Sequence, residues 1–322
     1  MKNGIKSRKL LFRFLSLLLV FSLMPVLPVS AITREDVEEG ILLPKSIRKE
    51  SSRAGEITAV EYVNCYGFPL HAGIYLPAGY DENGCYDVIF LWPGTLCGYE
   101  EVLQFQYPCY FEDGGLEKLS TAELLDRMIE QRIIRPVILV CMEDIGNINV
   151  SHAELDLGIM LDYVKANYPT YASREGITQE ELRKHFALVG FSQGSIFAQS
   201  AGMGFLYDDF ASFAAISYGF EWGVLESVNS SPYELSLLYA GFGNRADNGA
   251  ADSMRCYDII VNGCGDKIRD GENAFLRRWE CYNHSYSMML AAMYDYLPMM
   301  VPSEKTRLME LYYGGYSPRR NS

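Results

Sequence analysis

"HFALVGFSQGSIFAQ" occupies residues 185–199. It opens as an apolar run, breaks at Gly190, presents Ser192, breaks again at Gly194 and resumes with helical character. A strand-forming run that passes through Gly-Phe-Ser-Gln-Gly predicts a strand, a sharp turn with Ser192 at its tip, and then a helix. The same alternation extends on both sides. Upstream, "YDVIFLWPG" (86–94) and "RPVILVCMED" (135–144) are continuous apolar runs, as strands covered on both faces would be. Between them "TAELLDRMIEQR" (121–132) reads as a helix with Thr121 as its N-cap candidate, and "SHAELDLGIMLDYVKANY" (151–168) places Leu155, Ile159, Leu161 and Tyr163 at helical spacing. Downstream, 193–206 is helical with many small residues. Residues 210–220, 235–243 and 273–283 read as strands, and 285–300 as a closing amphipathic helix. Two further strands, 57–67 and 70–80, meet at Gly67-Phe68-Pro69. The expected fold class is therefore α/β, with a mostly parallel central sheet flanked by helices on both faces.

The chain has 322 residues, 49% of them hydrophobic and 21% charged, which is enough apolar material for one large core. The first 31 residues stand apart. Lys2, Lys6, Arg8, Lys9 and Arg13 precede or enter an apolar run, and Val29-Ser30-Ala31 supplies small residues for cleavage, so residues 1–31 read as a secretory signal peptide. Pro25, Pro28 and Arg13 make the apolar run short for a membrane span, so no stable membrane anchor is expected. Residues 32–55 are charged without a clear apolar period and read as a loosely ordered lead-in. Residues 56–322 read as a single catalytic domain, and the expected location is extracellular after cleavage near Ala31. Loss of five positive charges takes the formal charge from −13 to −18, which disfavours nucleic-acid partners. All eight cysteines follow residue 31. They permit disulfides of unreadable pairing, and their spacing suggests no zinc site. Cys141, inside an apolar run, reads as a buried free thiol.

A serine between two glycines at a strand-to-helix turn is the nucleophile elbow of an α/β-hydrolase. The turn lifts the hydroxyl clear of the sheet and places the next amide, that of Gln193, where it can donate to an oxyanion. A serine nucleophile needs a base, and the base needs a carboxylate to orient it. The order in this fold is serine, acid, histidine. His71, His152 and His185 precede Ser192, so His284 is the candidate base. His185 begins the elbow strand at its far end and reads as structural, and His152 as a cap or surface residue. The acid should follow the 235–243 strand. Asp247 is the first candidate, Asp252 the second and Glu221 the third. The second oxyanion donor should come from the loop after residue 92. Pro93 has no N–H, which leaves Thr95 ahead of Leu96. This chemistry needs no metal or organic cofactor.

These residues carry a resemblance. The chain is similar to the esterase branch of the α/β-hydrolases, which includes feruloyl esterases, acetyl xylan esterases and esterase D. "YDVIFLWPGTLCGYEE" resembles the oxyanion strand and loop, and "HAELDLGIMLDYVKANYPTYA" the segment before the elbow. Residues 185–223 resemble the elbow, its helix and the next strand, followed by an aromatic, here Trp222. "YNHSYSMMLAAMYDYLP" resembles the histidine loop and last helix. The chain departs from the pattern at Pro93, where relatives carry histidine, and at Gln193, where many carry Met or Leu. The resemblance implies a secreted serine esterase acting on feruloyl or acetyl esters of plant polysaccharides. An acyltransferase or peptidase on the same fold, and a non-catalytic carbohydrate-binding relative, are the alternatives. Tyr99, Phe105, Tyr107, Tyr110 and Phe111 cluster after the oxyanion loop. They read first as packing residues and second as the lining of a phenolic or sugar subsite.

Overall fold

The computed structural model describes residues 37–143, 152–244 and 246–313. The segment read as a signal peptide and the first residues of the lead-in lie outside the described residues. The strands are β1 (Glu38–Glu39), β2 (Glu56–Val63), β3 (Pro69–Leu76), β4 (Asp87–Trp92), β5 (Tyr107–Tyr110), β6 (Leu116–Leu119), β7 (Val137–Cys141), β8 (Phe186–Phe191), β9 (Ser212–Ile216), β10 (Leu237–Gly243) and β11 (Ala274–Trp279). Nine of them form one sheet in the order β2-β3-β7-β4-β8-β9-β10-β11-β1, and β5 and β6 form a separate hairpin. The β2–β3 and β3–β7 pairs are antiparallel, and every other pair in the large sheet is parallel.

The continuous apolar runs have a simple cause. In β4, Ile89 and Leu91 point into one core and Val88, Phe90 and Trp92 into the other. The same division separates Val137, Leu139 and Cys141 from Ile138 and Val140 in β7. A strand with helices on both sides has no solvent face on which to place polar residues. The α-helices of five or more residues are α1 (Tyr99–Leu103), α2 (Thr121–Glu130), α3 (Ala153–Asn167), α4 (Gln193–Phe197), α5 (Val224–Ser230), α6 (Ala250–Gly263), α7 (Tyr286–Met300) and α8 (Glu304–Tyr313). The first core holds residues of α1, α2 and α7, and the second holds residues of α3, α4, α5 and α6. Among the described residues no helix is long and apolar enough to cross a membrane.

Four local expectations change. The N-cap of α2 is Ser120, not Thr121. The Ser120 hydroxyl accepts from Glu123 N, and the Glu123 carboxylate accepts from Ser120 N at 2.8 Å. This capping box outcompetes Thr121, whose hydroxyl is buried and donates to Val102 O. On α3 the buried stripe is Ala153, Leu157, Met160, Leu161 and Val164, while Leu155 and Ile159 are exposed. Two apolar stripes compete on that helix, and the one with more members faces the sheet. The helix read over 193–206 does not stay α-helical beyond Phe197. Ala198–Met203 is a π-helix, where Gly202 packs so closely on Leu188 that a Cβ would lie 2.3 Å from its side chain. Nothing in the patterning foretold α6 or the β5–β6 hairpin.

The fourth change concerns the lead-in. From residue 37 onward it is tied down, not loose. Glu38 and Glu39 pair with Arg277 and Arg278 of β11. Trp279 donates its ring N–H to Ile41 O at 3.0 Å, and Leu43 and Ile47 are fully buried. Arg127 donates to Ile47 O at 2.9 Å, Arg48 pairs with Asp113 at 2.7 Å, and Gly55 N donates to Asp126 at 2.8 Å. Most of these partners are main-chain atoms or surface charges, so the segment needs no apolar period.

Glu130 closes this clamp. Its carboxylate accepts from the Ser51 hydroxyl at 2.5 Å, from the Ser52 hydroxyl at 2.6 Å and from Ser52 N at 2.8 Å. These bonds, led by the one from Ser51, hold its pKa down from 4.5 to about 2. A carboxylate lowered on folding contributes stability that is present above its unfolded value and lost as pH falls through its folded value. The variant Glu130→Gln should therefore melt below the wild type at pH 7. The gap should close as pH falls from 4.5 towards about 2, and melting curves across that range test it.

Candidate active site

The site stands at the C-terminal ends of the parallel strands, where loops from β4, β8, β9, β10 and β11 meet. Strand β8 ends in Phe191, and α4 begins at Gln193. Ser192 between them has φ 56° and ψ −122°, outside the regions L-residues ordinarily populate. Such a residue costs about 1–3 kcal/mol and persists only where its surroundings force it. Here they do. Ser192 N donates to Ile216 O at 2.8 Å. The buried Ser195 hydroxyl lies 2.8 Å from Gly190 O and accepts from Ile216 N at 2.9 Å, which ties the first turn of α4 to β8 and β9.

The two glycines of the motif are required by space. A Cβ on Gly190 would lie 2.1 Å from Gly194 O, and one on Gly194 would lie 2.0 Å from Trp92 O and 2.5 Å from Pro93 O. The obstructing atoms are backbone and cannot swing aside. The elbow is thus wedged against the end of β4, where a Cβ on Gly94 would sit 3.4 Å from Ser192 Cβ.

Ser192 Oγ is 2.8 Å from His284 Nε2, and His284 Nδ1 is 3.0 Å from Asp247 Oδ1. The Asp247 side chain is fully buried, and that of His284 is a quarter exposed. Burial alone pushes the Asp247 carboxyl up. Hydrogen bonds from His284, Gly243 N, Ser217 and Gly249 N outweigh it and leave the carboxyl below its ordinary value, hence ionised near neutrality. The last three lie at 2.7, 2.7 and 3.0 Å. An ionised carboxylate only accepts, so His284 carries its proton on Nδ1 and offers the Nε2 lone pair to the Ser192 hydroxyl. This arrangement can deprotonate Ser192 as it attacks an electrophilic carbon.

The other carboxylates weighed as the acid are engaged elsewhere. Glu221 pairs with Arg255 at 2.7 Å and accepts from the Cys256 thiol at 2.9 Å, and Asp252 lies 3.5 Å from Arg255. His185 is held by Asp87 at 2.7 Å and stacks on Tyr171 at the opposite end of β8, and the His152 ring lies beside Tyr66. Of the two expected oxyanion donors, Gln193 occupies the first position of α4, where a main-chain N–H has no acceptor within the helix. Thr95 is exposed in the loop after β4, beside Leu96, whose φ is 59°. Among the described residues neither main-chain N–H is taken by a main-chain acceptor.

The aromatic cluster divides. Phe111 is buried, Tyr107 packs on Tyr286 with ring centroids 5.1 Å apart, Tyr99 lies over Gly73, and Phe105 and Tyr110 reach solvent. Two supporting residues escaped the sequence reading. Ser217 (φ 58°) donates to Asp247, and the Tyr286 hydroxyl accepts from Gly94 N at 3.2 Å. Tyr286 stands only two places after the candidate base, but nothing in its spacing marks it. Among the described residues no group of three or more His, Cys, Asp or Glu side chains is placed to hold a metal ion, and none of the eight cysteines forms a disulfide.

No family model matches the chain, and no curated protein matches it. Solved structures do. A mutant feruloyl esterase module from Clostridium thermocellum, complexed with sinapinate, superposes with a TM-score of 0.66 at 19% identity, covering 82% of this chain and 94% of that one. A ferulic acid esterase from Anaeromyces mucronatus, in complex with ferulic acid, gives 0.60 at 12% identity, covering 81% and 97%. A further ferulic acid esterase gives 0.57 at 15%, covering 78% and 99%. At such identities the likeness is one of fold, and this chain has the α/β-hydrolase fold.

The close approach at the elbow yields a contrast. Gly194→Ala should destabilise the protein by about 3 kcal/mol or more, because its Cβ overlaps two backbone oxygens. Gly204→Ala meets nothing nearer than 3.5 Å and has φ −80°, so it should stay within about 0.5 kcal/mol of wild type. Denaturant unfolding of the two variants checks this.

Proposed function

We propose that the chain is a secreted serine esterase that forms an acyl-enzyme on Ser192. His284 accepts the serine proton and returns it to the leaving alcohol. Asp247 holds the His284 tautomer and stabilises its charged form, and the N–H groups of Gln193 and Thr95 receive the oxyanion. The observation that carries this reading is the continuous hydrogen-bonded chain from Ser192 through His284 to Asp247, mounted on a strained elbow. A fully connected chain of this kind favours catalysis over a non-catalytic binding role. Secretion rests on the signal-peptide pattern of residues 1–31.

The proposed acyl group is a phenolic acid, with acetyl as the smaller alternative. Trp222, 63% exposed, lies in the loop after β9 at the strand ends that carry the site, its ring 6.2 Å from that of Phe205. An exposed indole there suits an aromatic acid. The solved structures that share the fold include proteins holding sinapinate and ferulic acid. The alcohol side would be a sugar of an esterified plant polysaccharide.

The test is hydrolysis of 4-nitrophenyl acetate, methyl ferulate and acetylated xylan by the wild type and by Ser192→Ala. Wild-type turnover with preference for methyl ferulate is expected. The variant should lose about 10⁴–10⁶ in kcat. Full activity in the variant would end the mechanism. Preference for acetylated xylan would move the acyl assignment to acetate.

A further inference from the structure

We propose that Tyr286 is a positioning residue for the oxyanion loop, fixing the Thr95 N–H against Ser192 by holding the amide that precedes it. The proposal rests on the esterase reading above. Pro93 supplies no N–H. The Gly94 N–H donates to the Tyr286 hydroxyl at 3.2 Å and is not open to a ligand. The first free N–H after β4 is that of Thr95.

Within the loop the Cys97 thiol donates to Thr95 O at 3.6 Å. The Tyr286 hydroxyl is itself well fixed. The Tyr286 ring packs on Phe191 and Tyr107, with centroids 4.8 and 5.1 Å away. Phe191 immediately precedes Ser192, and its ring also lies 5.1 Å from that of His284. Tyr286 is the first residue of α7, whose N-cap Ser285 accepts from Met288 N. Burial pushes the Tyr286 hydroxyl well above its ordinary pKa, so it stays protonated. Nucleophile, base and oxyanion loop therefore pack on one pair of rings.

Removing only the hydroxyl leaves the buried Gly94 N–H without an acceptor, a state a protein relieves by moving the peptide. The loop would then carry the Thr95 N–H away from the oxyanion. Such a donor acts in the transition state and little in the ground state, so the effect belongs in kcat.

The experiment compares wild type and Tyr286→Phe, which keeps the ring packing. Two readouts are taken: steady-state hydrolysis of 4-nitrophenyl acetate and the rate at which a fluorophosphonate labels Ser192. Deleting an oxyanion donor costs about 10²–10³ in kcat, and displacing one should cost about tenfold, with KM within about twofold. Labelling should slow by a similar factor, since the phosphoryl oxygen occupies the same hole. Equal kcat and equal labelling in the two proteins would overturn the proposal while leaving the esterase reading intact. So would a change confined to KM. If the wild type turns over no ester, the labelling rates alone decide. If Ser192 of the wild type takes no label, the esterase reading and this proposal both fall.

Discussion

The structure depends on one close approach of backbone to backbone. Strand β8 turns into α4 so tightly against the end of β4 that neither Gly190 nor Gly194 has room for a Cβ. A contact of that kind has no rotamer through which to relax. It fixes Ser192 in a disfavoured conformation and brings the loop after β4 so near that a Cβ on Gly94 would lie 3.4 Å from the Ser192 side chain. It also leaves the reach of the hydroxyl to His284 as a matter of strand spacing. The parallel sheet supplies that spacing. The elbow follows β8, Asp247 lies on the loop after β10 and His284 lies after β11, so three separate crossovers must close before the three side chains meet.

The electrostatics follow the same division of labour. A chain of formal charge −13 buries a carboxylate at its centre. Asp247 remains ionised because two main-chain N–H groups, Ser217 and His284 all point at it. None of these donors is a full positive charge. Desolvation is offset by oriented dipoles. Arg255, the nearest cation to the rejected candidates Glu221 and Asp252, is spent on them.

How much of this was legible in the sequence depends on what kind of contact carries each part. Strands buried on both faces appear as unbroken apolar runs, so β4, β7, β8 and β10 could be read directly. Ser192 was visible because its glycines are forced by space, and His284 because no other histidine follows Ser192. Asp247, Asp252 and Glu221 could only be ranked, since loop geometry after β10 leaves no periodic trace. Ser217 and Tyr286 act through a hydroxyl on a neighbour's atoms, and serine and tyrosine are too common for that to show. Ser120 outranks Thr121 because of a reciprocal bond with Glu123. The segment from residue 37 to 55 was misjudged for the same reason throughout: its attachments are carbonyls, amides and surface charges, which do not alternate.

That segment has a further consequence for the sheet. Strand β11 would be its terminal strand were it not for Glu38 and Glu39, which occupy its outer hydrogen bonds. A short charged cover is one of the ways sheets avoid recruiting strands from other molecules. A chain starting at residue 56, where apolar patterning begins, would lose that cover and would also uncover Trp279 and Phe111. It would leave the outer edge of β11 open to pairing with another strand. The stretch that looks most dispensable in the sequence thus covers part of a sheet edge.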